Sequence, residues 1–143
     1  MEVKFTKLAP EAIMPTKGTE DAAGLDLYAT NEVFLERGQN GYIHTGISMA
    51  IPKGYFGGIF ARSSLGSKRG IRPANCVGVI DSDYRGEIVV VLHNDSDIPM
   101  QIIPGMRVAQ MIIMPYASVH LTEVQELDVT DRGNGGFGST GID

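Results

Sequence analysis

Asp81-Ser-Asp-Tyr-Arg-Gly-Glu87 sets two carboxylates, Asp81 and Asp83, beside the ring of Tyr84, just before the apolar run Ile88-Val-Val-Val-Leu92. A carboxylate at such a strand end can act as a general base, with the ring as a flat wall to the pocket. Asp and Gly also favour turns for local reasons, so a solvated turn is the competing reading. Ala61-Arg-Ser-Ser-Leu-Gly66 joins Arg62 to the hydroxyls of Ser63 and Ser64. A guanidinium fork beside the unpaired N–H groups of a helix start attracts an anion, though plain capping by Ser63 explains the same residues. Asp26 adds a carboxylate within Ala22-Ala-Gly-Leu-Asp-Leu27, and Arg107 and Gln110 lie in Gly105-Met-Arg-Val-Ala-Gln110. Strict strand alternation turns residues 107 and 110 to opposite faces.

The stretch Arg132-Gly-Asn-Gly-Gly-Phe-Gly-Ser-Thr-Gly141 holds five glycines, one aromatic, two hydroxyls and a cation. It cannot order itself on its own apolar surface, because glycine gives up the most backbone entropy on folding. Its N–H groups suit phosphate oxygens, and Phe137 suits a flat ligand ring. Gly133, Gly135 and Gly138 satisfy G-x-G-x-x-G, but that motif needs a strand before it and a helix after it. The P-loop spacing from Gly133 to Gly138 has Ser139 where lysine belongs, then Thr140, and no helix follows. A disordered glycine-rich terminus is the plain alternative.

These segments need a frame, and alternation supplies it. Ile43, Thr45, Ile47, Met49 and Ile51 recur at every second residue, which predicts one half-buried strand. Val3 and Phe5 begin another, and 22–28, 55–61, 76–80, 87–92 and 107–114 read as further strands. The continuous run 88–92 suits a strand covered on both faces. Pro52-Lys-Gly54, Asn94-Asp-Ser-Asp97 and Pro104-Gly105 punctuate the runs. Only 63–68 offers a turn or two of helix, with Ser63 as N-cap. No 3.6-residue periodicity is sustained, and no linker precedes about Asp128. The spacing predicts an all-β sandwich, jelly roll or barrel over residues 1–131, followed by a glycine-rich arm over 132–143.

Composition narrows the function. The 143 residues suffice for one domain with a real core. A formal charge of −5 argues against a nucleic-acid groove, and no apolar run approaches the ~20 residues of a membrane span. The start, Met-Glu-Val-Lys-Phe-Thr, has neither a secretory nor a transit layout. The single Cys76 excludes an internal disulfide, fits a reducing compartment and reads as a core residue of an apolar strand. The expected location is therefore cytoplasmic, or nuclear in a eukaryote, and not secreted. His44, His93 and His120 lack ligand spacing, so a dedicated transition-metal cage is not expected; any metal should arrive with a phosphate ligand, as Mg²⁺ does.

Taken in order, five segments resemble the five motifs of the trimeric deoxyuridine triphosphate nucleotidohydrolases (dUTPases), across residues 22–141. They are Ala23-Gly-Leu-Asp-Leu27, Ala61-Arg-Ser-Ser-Leu-Gly66, Gly78-Val-Ile-Asp-Ser-Asp-Tyr-Arg-Gly86, Gly105-Met-Arg-Val-Ala-Gln110 and Arg132-Gly-Asn-Gly-Gly-Phe-Gly-Ser-Thr140. The resemblance implies a distorted jelly-roll β-barrel with a flexible arm, a homotrimer with shared active sites, and Mg²⁺-assisted hydrolysis of dUTP to dUMP and pyrophosphate. That reaction limits uracil incorporation into DNA and supplies dUMP for thymidylate synthesis. By position, the resemblance makes Asp81 the catalytic aspartate, which contacts the sugar 3′-hydroxyl and orients the attacking water. Tyr84 matches the ring under the deoxyribose that leaves no room for a 2′-hydroxyl. Asn75 and the backbone through Val79 and Ile80 match the hairpin that reads uracil. Arg62, Ser63, Ser64 and Gln110 match the phosphate-binding groups, and Asp26 an acid near the metal and its waters. Arg132, Phe137, Gly138, Ser139 and Thr140 match the arm that stacks on uracil and wraps the γ-phosphate, commonly from a neighbouring subunit.

Ala61 and Ser64 depart from the Pro or Gly and the Gly that many members carry there. Arg62-Ser-Ser-Leu-Gly66 also resembles the dCTP deaminases, which share the fold and carry a catalytic glutamate on the strand after the third motif. Aligning on Gly86 and Asn94 puts Val91 at that place, and valine cannot shuttle a proton. A non-catalytic nucleotide-binding or signalling module is the third alternative, against which Asp81 and the arm both stand.

Overall fold

In the computed structural model, which describes residues 1–136, backbone pairing is antiparallel throughout. The strands are β1 (Lys4–Lys7), β2 (Thr16–Lys17), β3 (Leu25–Tyr28), β4 (Val33–Leu35), β5 (Asn40–His44), β6 (Ile47–Ala50) and β7 (Tyr55–Phe60). After the helix α1 (Ser63–Arg69) come β8 (Ile71–Pro73), β9 (Gly78–Ile80), β10 (Val89–Asn94), β11 (Met100–Ile102) and β12 (Arg107–Pro115). They form a five-stranded sheet β2-β3-β12-β7-β9, a three-stranded sheet β5-β10-β8, and the pairs β1-β6 and β11-β4. This is the all-β jelly roll that the strand spacing and the resemblance predict. Among the described residues no helix is long and apolar enough to cross a membrane.

The inward residues of these strands make one core, with Leu27, Leu35, Ile43, Ile47, Ile71, Ile88, Leu92, Ile102 and Met111 almost wholly buried. Asn94 joins them, donating to the carbonyls of Leu35 and Ile98 at 3.0 Å each, so its amide is satisfied despite burial.

Several expectations change. The alternation from Ile43 to Ile51 is not one strand. At Gly46, φ is +64°, and the chain leaves the β10 sheet to pair with β1. The period-2 burial survives the corner because Thr45 turns its hydroxyl inward, donating to the Ile88 carbonyl at 2.6 Å. The run 88–92 is covered fully on one face only: Ile88, Val90 and Leu92 are buried, while Val89 and Val91 are half-buried. Cys76 is not core. It is exposed at the tip of the β8–β9 turn with φ 62°, because this tight connection needs a left-handed residue there. The helix over 63–69 forms, but its N-cap is Arg62, whose side chain makes no capping bond. The last strand ends at Pro115, and residues 116–136 form no helix or strand.

Gly46→Ala tests the corner. A Cβ there would lie 2.7 Å from the Cβ of Ala12. With the left-handed backbone penalty added, the expected loss is about 2 kcal/mol of unfolding free energy, measured by urea titration.

Candidate active site

Asp26 on β3 organises the first group of residues. It is buried, and its carboxylate accepts from Arg62 Nε at Oδ1 (2.8 Å) and from Arg107 Nη1 at Oδ2 (3.2 Å). Gln110 lies opposite Asp26 in the β3–β12 register, and Arg107 lies opposite Tyr28. Simple alternation forbids that, but the register shifts between Arg107 and Ala109, and both Val108 and Ala109 turn into the core. The bulge thus brings residues 107 and 110 to the face that Asp26 shares, the usual effect of one extra residue in a ladder. Gln110 Nε2 donates to the Ala61 carbonyl at 3.0 Å, and Gly24 makes room for it, since a Cβ there would lie 2.6 Å from Gln110 Oε1. Asp26, Arg62, Ser63 and Gln110 line one cleft of about 260 Å³ with Gly18 and Gly24. Ser64 is exposed on the same helical turn but does not line it.

The second group is the β8–β9 hairpin. Asn75 is exposed, and the turn closes through Cys76 N–H to the Pro73 carbonyl at 3.0 Å and Val77 N–H to the Asn75 carbonyl at 2.7 Å. Asn75, Val79 and Ile80 share a small cleft of about 90 Å³ with Gly78 and Val91. β9 pairs with β7 on one side only and is the last strand of its sheet. Among the described residues its outer backbone edge has no strand partner, which leaves main-chain donors and acceptors for something else.

The third group is the loop from β9 to β10. Asp81 and Tyr84 are exposed, and the Tyr84 N–H donates to the Asp81 carbonyl at 3.2 Å. The loop stem is stitched to the β5–β6 corner. Glu87 Oε1 accepts from the Gly46 N–H at 2.8 Å, its Oε2 pairs with His44 Nδ1 at 2.9 Å, and Ser48 Oγ donates to the Arg85 carbonyl at 2.7 Å. Burial pushes the Glu87 carboxyl up, but the bonds from His44 and Gly46 outweigh it and hold the carboxyl below its ordinary value. Asp81 opens onto a cleft of about 590 Å³ lined with Lys53, Asp83, Arg85 and Tyr116.

The Asp26–Arg62 cleft and the Asp81 loop do not meet within one chain, although β9 runs between them. Ile80 pairs with Gly57, so Asp81 is level with Phe56, while Arg62 lies six residues farther along from Phe56. At ~3.3 Å per residue that is roughly 20 Å, too far for one phosphate to touch both. Arg132 is exposed in a turn closed by Gly133 N–H to the Thr130 carbonyl at 3.0 Å. Phe137, Gly138, Ser139 and Thr140 lie outside the described residues.

Sequence reasoning missed the role of Arg107, hidden by the bulge, and the Glu87–His44 anchor, whose partners are 43 residues apart. Among the described residues no three His, Cys, Asp or Glu side chains cluster as a metal cage. Both Asp26 oxygens already accept from arginines. The donor set therefore suits a cation carried by a phosphorylated ligand and met through water, as Mg²⁺ commonly is.

The fold and site define a jelly-roll β-barrel with a cleft that sets Arg62 beside the buried carboxylate of Asp26. The dUTPase family model matches residues 10–141, and the chain belongs to the dUTPase family. It is 45% identical to the deoxyuridine 5′-triphosphate nucleotidohydrolase of Nautilia profundicola, covering 99% of both chains. It is 42% identical to that of Oryza sativa subsp. japonica, covering 98% of this chain and 81% of the plant protein. Among solved structures it is similar to a mutant Staphylococcus bacteriophage 80alpha dUTPase with dUpNHpp, at TM-score 0.91 and 28% identity over 99% of both chains. It is also similar to the dUTPase from phage phi11 of S. aureus, at TM-score 0.82 and 26% identity over 91% of this chain and all of that one.

Glu87 gives a pH test. A carboxyl held below its ordinary 4.5 contributes stability that is full above about pH 4.5 and is lost as pH falls through the folded value. Unfolding titrations of the native chain and Glu87→Gln should differ most above that pH and converge below it. A constant difference across the range would remove the anchor from the loop's stability.

Proposed function

We propose that the chain hydrolyses dUTP to dUMP and pyrophosphate, with Asp81 holding the water that attacks the α-phosphorus. The observation that carries this reading is a family-matched chain with an acid-bearing loop fixed at one end of a sheet and an arginine cleft at the other. Arg62 spends its Nε on Asp26, and its terminal nitrogens make no bond among the described residues. Those donors, with Ser63, Ser64 and Gln110, bind the phosphates. Uracil pairs with Asn75 and the outer edge of β9 through Val79 and Ile80. Cytosine is refused because its amino group reverses one donor–acceptor position. Tyr84 lies under the deoxyribose.

Asp81 accepts the proton of the water as its oxygen bonds to the α-phosphorus, and the bridging P–O bond to pyrophosphate breaks. Asp26 would meet a phosphate-bound Mg²⁺ through water, and that ion would supply charge neutralisation for the departing pyrophosphate. Residues 132–143 form the arm that closes the site, with Phe137 on the base and Arg132, Gly138, Ser139 and Thr140 at the phosphates. An aromatic lid on a base is worth ~1–3 kcal/mol, enough to close an arm that only nucleotide holds.

The working unit in this reading is a homotrimer with shared sites. The roughly 20 Å between Asp81 and Arg62 along one sheet edge supports it, since a second subunit must complete each site. So do Val119, Leu121, Leu127 and Val129, each three-quarters or more exposed in a lone chain. The lone cysteine supports a cytoplasmic location. The dCTP deaminase alternative finds Val91, not a glutamate, in the Asn75–Ile80 cleft.

Pyrophosphate should appear rapidly from dUTP, with little from dCTP, dTTP or UTP; ammonia from dCTP would install the deaminase reading instead. Asp81→Asn should keep nucleotide binding and lose about 10²–10⁴-fold in turnover, and unchanged turnover would remove Asp81 from the reaction. Truncation after Asp131 should leave a folded protein of poor activity, and a fully active truncate would sink the lid.

A further inference from the structure

We infer that Gly86 is a specificity-determining position for the sugar and that it acts through Tyr84. This rests on the reading of Tyr84 as the ring beneath the deoxyribose. Without a side chain at residue 86, the ring lies directly against the backbone of its own loop. A Cβ on Gly86 would collide with the Tyr84 hydroxyl oxygen and lie 2.6 Å from Cζ and 3.0 Å from Cε2. The backbone does not require glycine here, because Gly86 is absent from the positive-φ positions that Gly46 and Gly105 occupy. Space for the ring is what excludes a side chain.

The ring has little freedom to yield. Its hydroxyl donates to the Glu87 carbonyl at 2.9 Å, and Glu87 is tied through its carboxylate to Gly46 and His44. Arg85 Nη1 donates to the Ser82 and Tyr84 carbonyls at 2.7 Å each, which closes the other side of the turn. The ring is thus seated on Gly86 and tethered at its tip, while the Tyr84 residue remains 44% exposed. Ribose differs from deoxyribose by one hydroxyl, and rejection of so small a group depends on a ring held to within a fraction of an ångström. A displaced ring loses its contact with deoxyribose, while the ribose substrate, already refused, loses less.

The test is kcat/KM for dUTP and UTP in Gly86→Ala, Tyr84→Phe, Tyr84→Ala and the Gly86→Ala/Tyr84→Ala double variant, each checked for cooperative thermal unfolding. Gly86→Ala should lower the dUTP-over-UTP preference roughly tenfold, chiefly through KM for dUTP. Tyr84→Phe, which keeps the ring and loses the tether, should lower it by a smaller factor. In the Tyr84→Ala background, Gly86→Ala should change the preference no further. A native preference in Gly86→Ala, with the preference lost in Tyr84→Ala, overturns the inference and leaves the Tyr84 reading standing. An unchanged preference in Tyr84→Ala overturns both. Should Gly86→Ala fail to fold, a native preference in Tyr84→Phe overturns the inference.

Discussion

One buried carboxylate gripping two guanidiniums is the constraint on which the rest of the site depends. Asp26 fixes Arg107 across the β3–β12 ladder and Arg62 at the end of β7, so three strands share one electrostatic centre. Burying such charges is expensive, and the arrangement adds little net stability over apolar packing. Its value lies in orientation. Arg62 is held by Nε, and its two terminal nitrogens make no further bond among the described residues. Arg107 spends one terminal nitrogen on the same carboxylate.

The loop that carries Asp81 is organised by different means. No strand holds it, yet the corner at residues 44–48 binds its stem through Glu87, Arg85 and Ile88. The corner exists because Gly46 lets the chain change sheets. A packing decision in the core thereby reaches the acid proposed to handle the water, through bonds made within the chain itself.

Most long elements are legible in the sequence, and of the shortest only β9 falls within a predicted run. Strands such as β7 and β12 announce themselves by sustained apolar patterning, and the five motifs mark nearly all the candidate site. β2, β4, β8 and β11 hold only two or three residues each, too few for alternation to register. The bulge in β12 leaves no mark in the sequence because Val108 and Ala109 read equally well on either face, so alternation alone turns Arg107 away from Asp26's partner Gln110. Cys76 reads as core in the sequence but is exposed, because its hairpin owes its shape to a backbone angle and not to apolar pattern. Alternation also carried through Gly46 unbroken, since burial on both sides of a sheet change keeps the same period.

In the proposed reaction water attacks the α-phosphorus while pyrophosphate departs. Hydrolysis of dUTP in water labelled with heavy oxygen, followed by mass analysis of both products, tests it most directly. One labelled oxygen is expected in dUMP and none in pyrophosphate; label in pyrophosphate, with dUMP unlabelled, would place the attack on the β-phosphorus instead.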